Sequence, residues 1–129
     1  MPISMSVDHA RRQIVARVSG PVTFADIRSH LEMERAEGGL PFGELMDGRG
    51  SQSFVSPAEI QEIAGIVRQY GSTTRLGPTA IVVDNDLEYG MLRMLETLVE
   101  DVCEIRPFRE WEEAESWLAS VDRAWRPPI

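Results

Sequence analysis

Three groups of side chains in this sequence have the types and spacing for chemistry. At residues 56–59, Ser-Pro-Ala-Glu opens a run with helical apolar spacing. A hydroxyl at that point suits either of two roles. As a phosphate acceptor it would bring about −1.5 to −2 units of charge to a helix N-terminus, where the dipole favours it, and it would need an arginine such as Arg49 or Arg75 nearby. As a cap it needs nothing else. The Ser56 oxygen accepts from the backbone N–H of Glu59 while the Glu59 carboxylate reaches back to the N–H of Ser56, with proline at the first helical position. The cap accounts for both residues, so Ser56 is read first as a helix cap.

Asp47, Asp84 and Asp86 make the second group. Carboxylates at the ends of neighbouring parallel strands suit Mg²⁺. No lysine and no glycine-rich phosphate cradle accompany them, so the structural alternative is favoured: Asp47 ends a turn, and Asp84 or Asn85 caps a helix with Glu88 completing the box. The third group is Asp26, His30 and Glu34, four residues apart and therefore on one helix face. Glu34 next to Arg35 reads as solvated, and no further helix-borne histidine completes a ligand set. The expectation is no metal and no cofactor. Cys103 reads as a small core residue, His9 lies in a turn, and no Ser–His–Asp or Cys–His grouping marks a nucleophile.

Composition narrows the function classes. The net charge is −8 and the thirteen basic residues, all arginine, are scattered, which argues against nucleic acid because phosphate binding needs a clustered basic footprint. Without lysine there is no Schiff-base chemistry and no P-loop lysine. No apolar run reaches 18 residues, so no membrane insertion is expected. The first twelve residues lack the pattern of a secretory signal. One cysteine gives no internal disulfide, and the expected location is cytoplasmic. The length of 129 residues, 43% of them hydrophobic, predicts one domain over 1–129, with 122–129 as a loose tail.

The elements that must carry these groups follow from periodicity. Residues 3–8 and 13–19 alternate and flank a turn, predicting a hairpin that Gly20-Pro21 ends. Thr23 caps a helix with Phe24, Ile27 and Leu31 on one face, closed by Gly38-Gly39. Residues 43–47 predict a short strand, 48–53 a loop, and Pro57 to about Tyr70 a helix with a seam of Ile60, Ile63, Val67 and Tyr70. The apolar run in 78–84 predicts a strand covered on both faces. A helix over about 87–100, an alternating strand over 102–108, and a last helix carrying Trp111, Ala114, Leu118 and Val121, with Trp125 continuing the stripe, complete the chain. The order is β-β-α-β-α-β-α-β-α, an α/β fold with a mixed, mostly parallel sheet and helices packed on it. Ligands on such sheets usually sit at the carboxyl ends of the strands, here 47–50 and 84–86.

The helix over 87–100 has an apolar arc of about 160°, from Leu87, Met91, Leu92, Met94, Leu95, Leu98 and Val99. Core packing, a self-association face and the wall of an apolar pocket all fit that width.

With Ser56 opening the helix after the third strand, the chain resembles the STAS-like group, the fold of bacterial anti-sigma-factor antagonists that is also grouped with Sec14-like domains. It is most similar to small bacterial STAS-like proteins of unassigned function, through "ELMD" (44–47), "YGMLRM" (89–94) and "FREWEEAESWL" (108–118). In the antagonists the phosphoacceptor serine opens that helix within an Asp-Ser-(Ser or Thr)-Gly-type pattern. Here Val55 stands in place of the acid, and Pro57-Ala58 replace the small residue and glycine. The resemblance implies a non-enzymatic, regulatory protein–protein interaction module with an unidentified protein partner; the wide apolar arc adds the expectation of a homodimer through the 87–99 helix. The surface expected to meet a ligand or partner comprises Asp47, Arg49, Ser53, Ser56, Asp84, Asp86, Met91 and Met94. The alternative is a Sec14-like binder of a small apolar or anionic ligand, and a more distant one a metal-dependent enzyme using Asp47 and Asp84.

Overall fold

The computed structural model describes residues 2–128. Strands β1 (Ile3–Asp8) and β2 (Gln13–Val18) form the expected antiparallel hairpin. From β2 the sheet continues in parallel through β4 (Gly43–Asp47), β6 (Thr79–Val82) and β7 (Ile105–Phe108), in spatial order β1-β2-β4-β6-β7. Helices α1 (Phe24–Ala36), α2 (Pro57–Gly71), α3 (Asp86–Val99) and α4 (Trp111–Val121) fill the connections. The mixed, mostly parallel α/β architecture is as expected.

Two short strands were not anticipated. β3 (Gly20–Val22) and β5 (Ser51–Ser53) pair in parallel as a separate ribbon. Their sequences, "GPV" and "SQS", are too short and too rich in turn residues to show a period of two; only pairing with each other gives them strand geometry. The strand expected over 102–108 is confined to Ile105–Phe108, so Cys103 precedes it, half-buried, and desolvation pushes its thiol up to about 11.

Alternation along the strands divides the core between two faces. Leu45 of β4 and Ala80 and Val82 of β6 meet Ala114 and Leu118 of α4 on one face. The opposite face lies beneath α1, α2 and α3, where Ile60, Ile63, Ala64 and Val67 pack against Leu95 and Val99. The wide arc of α3 is therefore turned largely inward: Met91, Leu92, Met94 and Leu98 are half-buried against this cluster, and Leu87 is left 68% exposed.

Caps set the helix boundaries. Thr23 and Asp26 form a capping box on α1, which employs Asp26 in a structural role. Gly38 follows the end of α1 with φ +71°, a conformation glycine adopts at no steric cost. Asn85, rather than Asp84, caps α3, accepting from the N–H of Glu88 at 2.9 Å. Gly77 lies so close to the Phe42 carbonyl that a Cβ would collide with it; its N–H donates to the Leu40 carbonyl at 2.9 Å, tying the entry to β6 against the entry to β4.

The segment after α4 is docked, not loose as far as Arg126. Trp125 is buried in the cluster beneath α4, and Gln13 exchanges two hydrogen bonds with the Arg126 backbone, at 3.0 and 3.1 Å. Trp125 does not continue the helical stripe: α4 ends at Val121, and a turn from Asp122 brings the indole back.

Candidate functional site

Ser56 is a cap. Its Oγ accepts from the N–H of Glu59 at 3.1 Å, and its own N–H donates to Glu59 Oε1 at 2.9 Å. Of the two arginines considered for a phosphate, Arg49 and Arg75, the first is engaged elsewhere: Nε and Nη2 each donate to the Asp47 carboxylate at 2.9 Å, and the guanidinium lies 5.5 Å from the centre of the Trp111 ring. Ser56→Ala is expected to lose about 1 kcal/mol in urea denaturation and Ser56→Asp almost nothing, because aspartate caps as well as serine.

The strand-end acids do not converge. Asp47 belongs to Arg49, whose hydrogen bonds hold its carboxyl below the usual carboxylate range. Asp84 accepts from the N–H of Gly50 at 3.0 Å, fixing the 48–50 turn, and Asp86 pairs with Arg109 at 2.7 Å. Each carboxylate has a separate structural partner, which leaves no paired-acid site for the enzyme reading that joined Asp47 and Asp84. Ser53 is half-buried on β5 and Met91 half-buried on α3, both lining the cavity described next; Met94 packs into the core beside it.

Beneath α1, α2 and α3 the sheet borders a partly open cavity of about 190 Å³. Its wall is mainly aliphatic and sulfur-bearing, including Ile27, Ile63, Met46, Ile81 and Met91. Position 46 reaches it because Glu44 and Met46 point to one face of β4 while Leu45 and Asp47 point to the other. The β3–β5 ribbon closes the carboxyl end through Val22, Ser51 and Ser53. There the Ser51 hydroxyl lies 2.7 Å from the Gly48 carbonyl oxygen and 3.1 Å from each oxygen of the buried Glu88 carboxylate.

The amino end of the cavity holds a buried polar cluster. His30 Nε2 lies 2.6 Å from Glu34 Oε1 and 2.9 Å from Glu44 Oε2, and the three side chains are 7%, 10% and 4% exposed. Burial by itself would lower the imidazole pKa, but hydrogen bonds to Glu34 and Glu44 overcome it and raise it to about 10. Desolvation, reinforced by the Glu44 charge, pushes Glu34 up to about 8. Burial would raise Glu44 as well; contact with His30 prevails and holds it low. At neutral pH the cluster is therefore an imidazolium, one carboxylate and one carboxylic acid, with no net charge.

This overturns the solvated reading of Glu34. Arg35, its neighbour in sequence, lies about 100° away around the helix and says nothing about its exposure. The available signal was Glu44: an acid inside "GELMD", a strand covered on both faces, requires a buried partner. The site also lies at the amino ends of the strands, because Glu44 is only the second residue of β4.

No helix among the described residues is long and apolar enough to cross a membrane. No family model matches the chain, and no curated protein matches it either. Its structure is similar to that of an uncharacterized protein of the DUF3478 family, with a SpoIIAA-like fold, from Shewanella loihica PV-4, solved by crystallography at 2.25 Å. The TM-score is 0.59 at 16% sequence identity, over 90% of this chain and 93% of that one. With five sheet strands in the order β1-β2-β4-β6-β7 and Ser56 opening the helix after β5, the chain has a SpoIIAA-like, that is STAS-like, fold.

Proposed function

We propose that this protein is a non-enzymatic binding module that holds a small apolar ligand between its sheet and helices α1–α3. The observation that carries this reading is the cavity of about 190 Å³ with its aliphatic wall; an apolar cavity of roughly 150 Å³ is enough to hold benzene. The lining also bears on ligand charge. Its ionisable side chains are His30, Glu34, Glu44 and Glu88, together with Tyr70 and Cys103, and it contains no arginine. The His30–Glu34–Glu44 cluster has no net charge to offer an anionic head, and Glu88 and the absence of arginine disfavour one, so the ligand is neutral or cationic. The anionic ligand considered from sequence is set aside on this ground.

Met46→Trp tests the reading by filling the cavity from a half-buried strand position. The native chain is expected to bind the uncharged fluorophore N-phenyl-1-naphthylamine saturably at one site. The variant is expected to lose that binding while keeping its cooperative thermal transition. Equal binding by both chains, or none by the native chain, would rule the cavity out as the site.

A second reading, contact with a protein partner, has its own observation. Phe54 and Leu87, 63% and 68% exposed, are large apolar side chains on the loop after β5 and the first turn of α3. They support a regulatory contact surface formed by 48–56, the start of α2 and the rim of α3.

A further inference from the structure

We propose that His30, Glu34 and Glu44 are the ligands of one divalent transition-metal ion of the zinc, manganese or iron class. One imidazole and two carboxylates are a donor set that such ions accept, and three protein ligands with a further position open is the arrangement of reactive rather than purely structural zinc sites. The fold assembles this set from two elements. The four-residue spacing puts His30 and Glu34 on one face of α1, and β4 brings Glu44 beneath them. One donor atom from each residue lies within 4.8 Å of the others.

Proton and charge balance support the assignment. An imidazole nitrogen carries at most one proton, yet Nε2 has carboxylate oxygens at both 2.6 and 2.9 Å. Two buried carboxyl groups share one imidazole, so one of them keeps its proton while no ion is bound, and no arginine lines the adjoining cavity. A dication with a neutral imidazole and two carboxylates is a neutral assembly. The cavity beside the cluster leaves room for water or a ligand atom at the open position. The ion site is independent of the apolar occupant.

The test uses the full chain, stripped with a chelator and titrated with Co²⁺ alone, followed by calorimetry and visible absorption. One ion per chain is expected, with bands stronger than those of aqueous cobalt and displacement by Zn²⁺. Outer-sphere partners of a metal typically cost about 10–100-fold in affinity when removed, so loss of a ligand in Glu34→Gln is expected to weaken binding by at least about tenfold. Should that variant fail to fold, the native chain decides: Zn²⁺ is expected to shift the His30 ring resonances and leave those of His9 in place. The proposal is overturned if the native chain shows no stoichiometric binding, if His30 is unmoved by Zn²⁺, or if Glu34→Gln binds as the native chain does. Met46→Trp keeps all three donors, so it separates the two sites: loss of fluorophore with cobalt retained supports the ion site whatever becomes of the apolar reading.

Discussion

Replacing His30 with leucine is expected to cost about 3–5 kcal/mol at neutral pH, the range found when one partner is removed from a buried ion pair. The imidazole sits against two almost fully enclosed acids that also hydrogen-bond each other, with Glu34 and Glu44 oxygens at 2.6 and 2.9 Å from Nε2. Without it, both carboxyls face each other with no cation, and desolvation and mutual repulsion raise both pKa values. The pH dependence follows from that direction. A carboxyl whose folded pKa lies above its unfolded value binds its proton more tightly when folded, so the folded state gains stability as pH falls. Glu34 is raised in the native chain as well, and the contribution of His30 is complete only below its unfolded value of 6.5. The deficit of His30→Leu is therefore expected to shrink chiefly from about pH 6.5 toward about pH 4.5, where Glu44 takes a proton in the variant alone. Urea denaturation across that range measures it. A cost below about 1 kcal/mol at pH 7, or one that does not change with pH, would show that the cluster is not ion-paired. Converting all three residues to leucine is expected to recover most of the loss, because apolar replacement of a whole buried ionic group is often neutral or stabilising. The cluster would then persist for what it binds and not for stability.

Trp125→Ala is the second large effect, expected at about 3–5 kcal/mol and a fall in Tm of roughly 10 °C or more. The indole is 2% exposed and packs in the cluster with Leu45, Ala80, Val82, Ala114 and Leu118. It also lies against Gly43, where an added Cβ would come within 3.3 Å of its ring, immediately before the strand residue that supplies Glu44. Its removal opens a void on the sheet face opposite the cavity. Trp125→Phe is expected to retain much of the stability because an aromatic ring remains. A loose tail would make both substitutions silent by calorimetry, and that outcome would contradict the docked position of residues 122–126.

Much of the architecture was legible from local physics. The cap at Thr23, the capping box at Ser56 and the seam of α2 are determined by residues three or four apart and formed where the spacing placed them; the structure added Asp26 to the first cap and chose Asn85 over Asp84 for α3. The apolar run in 78–84 predicted cover on both faces; α4 buries Ala80 and Val82, while Ile81, toward α1–α3, is half-buried at the cavity. The β3–β5 ribbon was not legible. Neither half has a pattern of its own, and their partnership spans some thirty residues of sequence.

The candidate site divides along the same line. Sequence by itself determined that His30 and Glu34 share a face, since helix geometry fixes that relation, and that Asp47, Asp84 and Asp86 lie near strand ends. Only the tertiary structure decided that Glu34 is buried, that Glu44 completes the cluster, and that the strand-end acids go separately to Arg49, to the Gly50 N–H and to Arg109. The physical reason is that burial and charge pairing depend on which surfaces meet across the sheet. Periodicity records which way a side chain leaves its own element, not what stands opposite it.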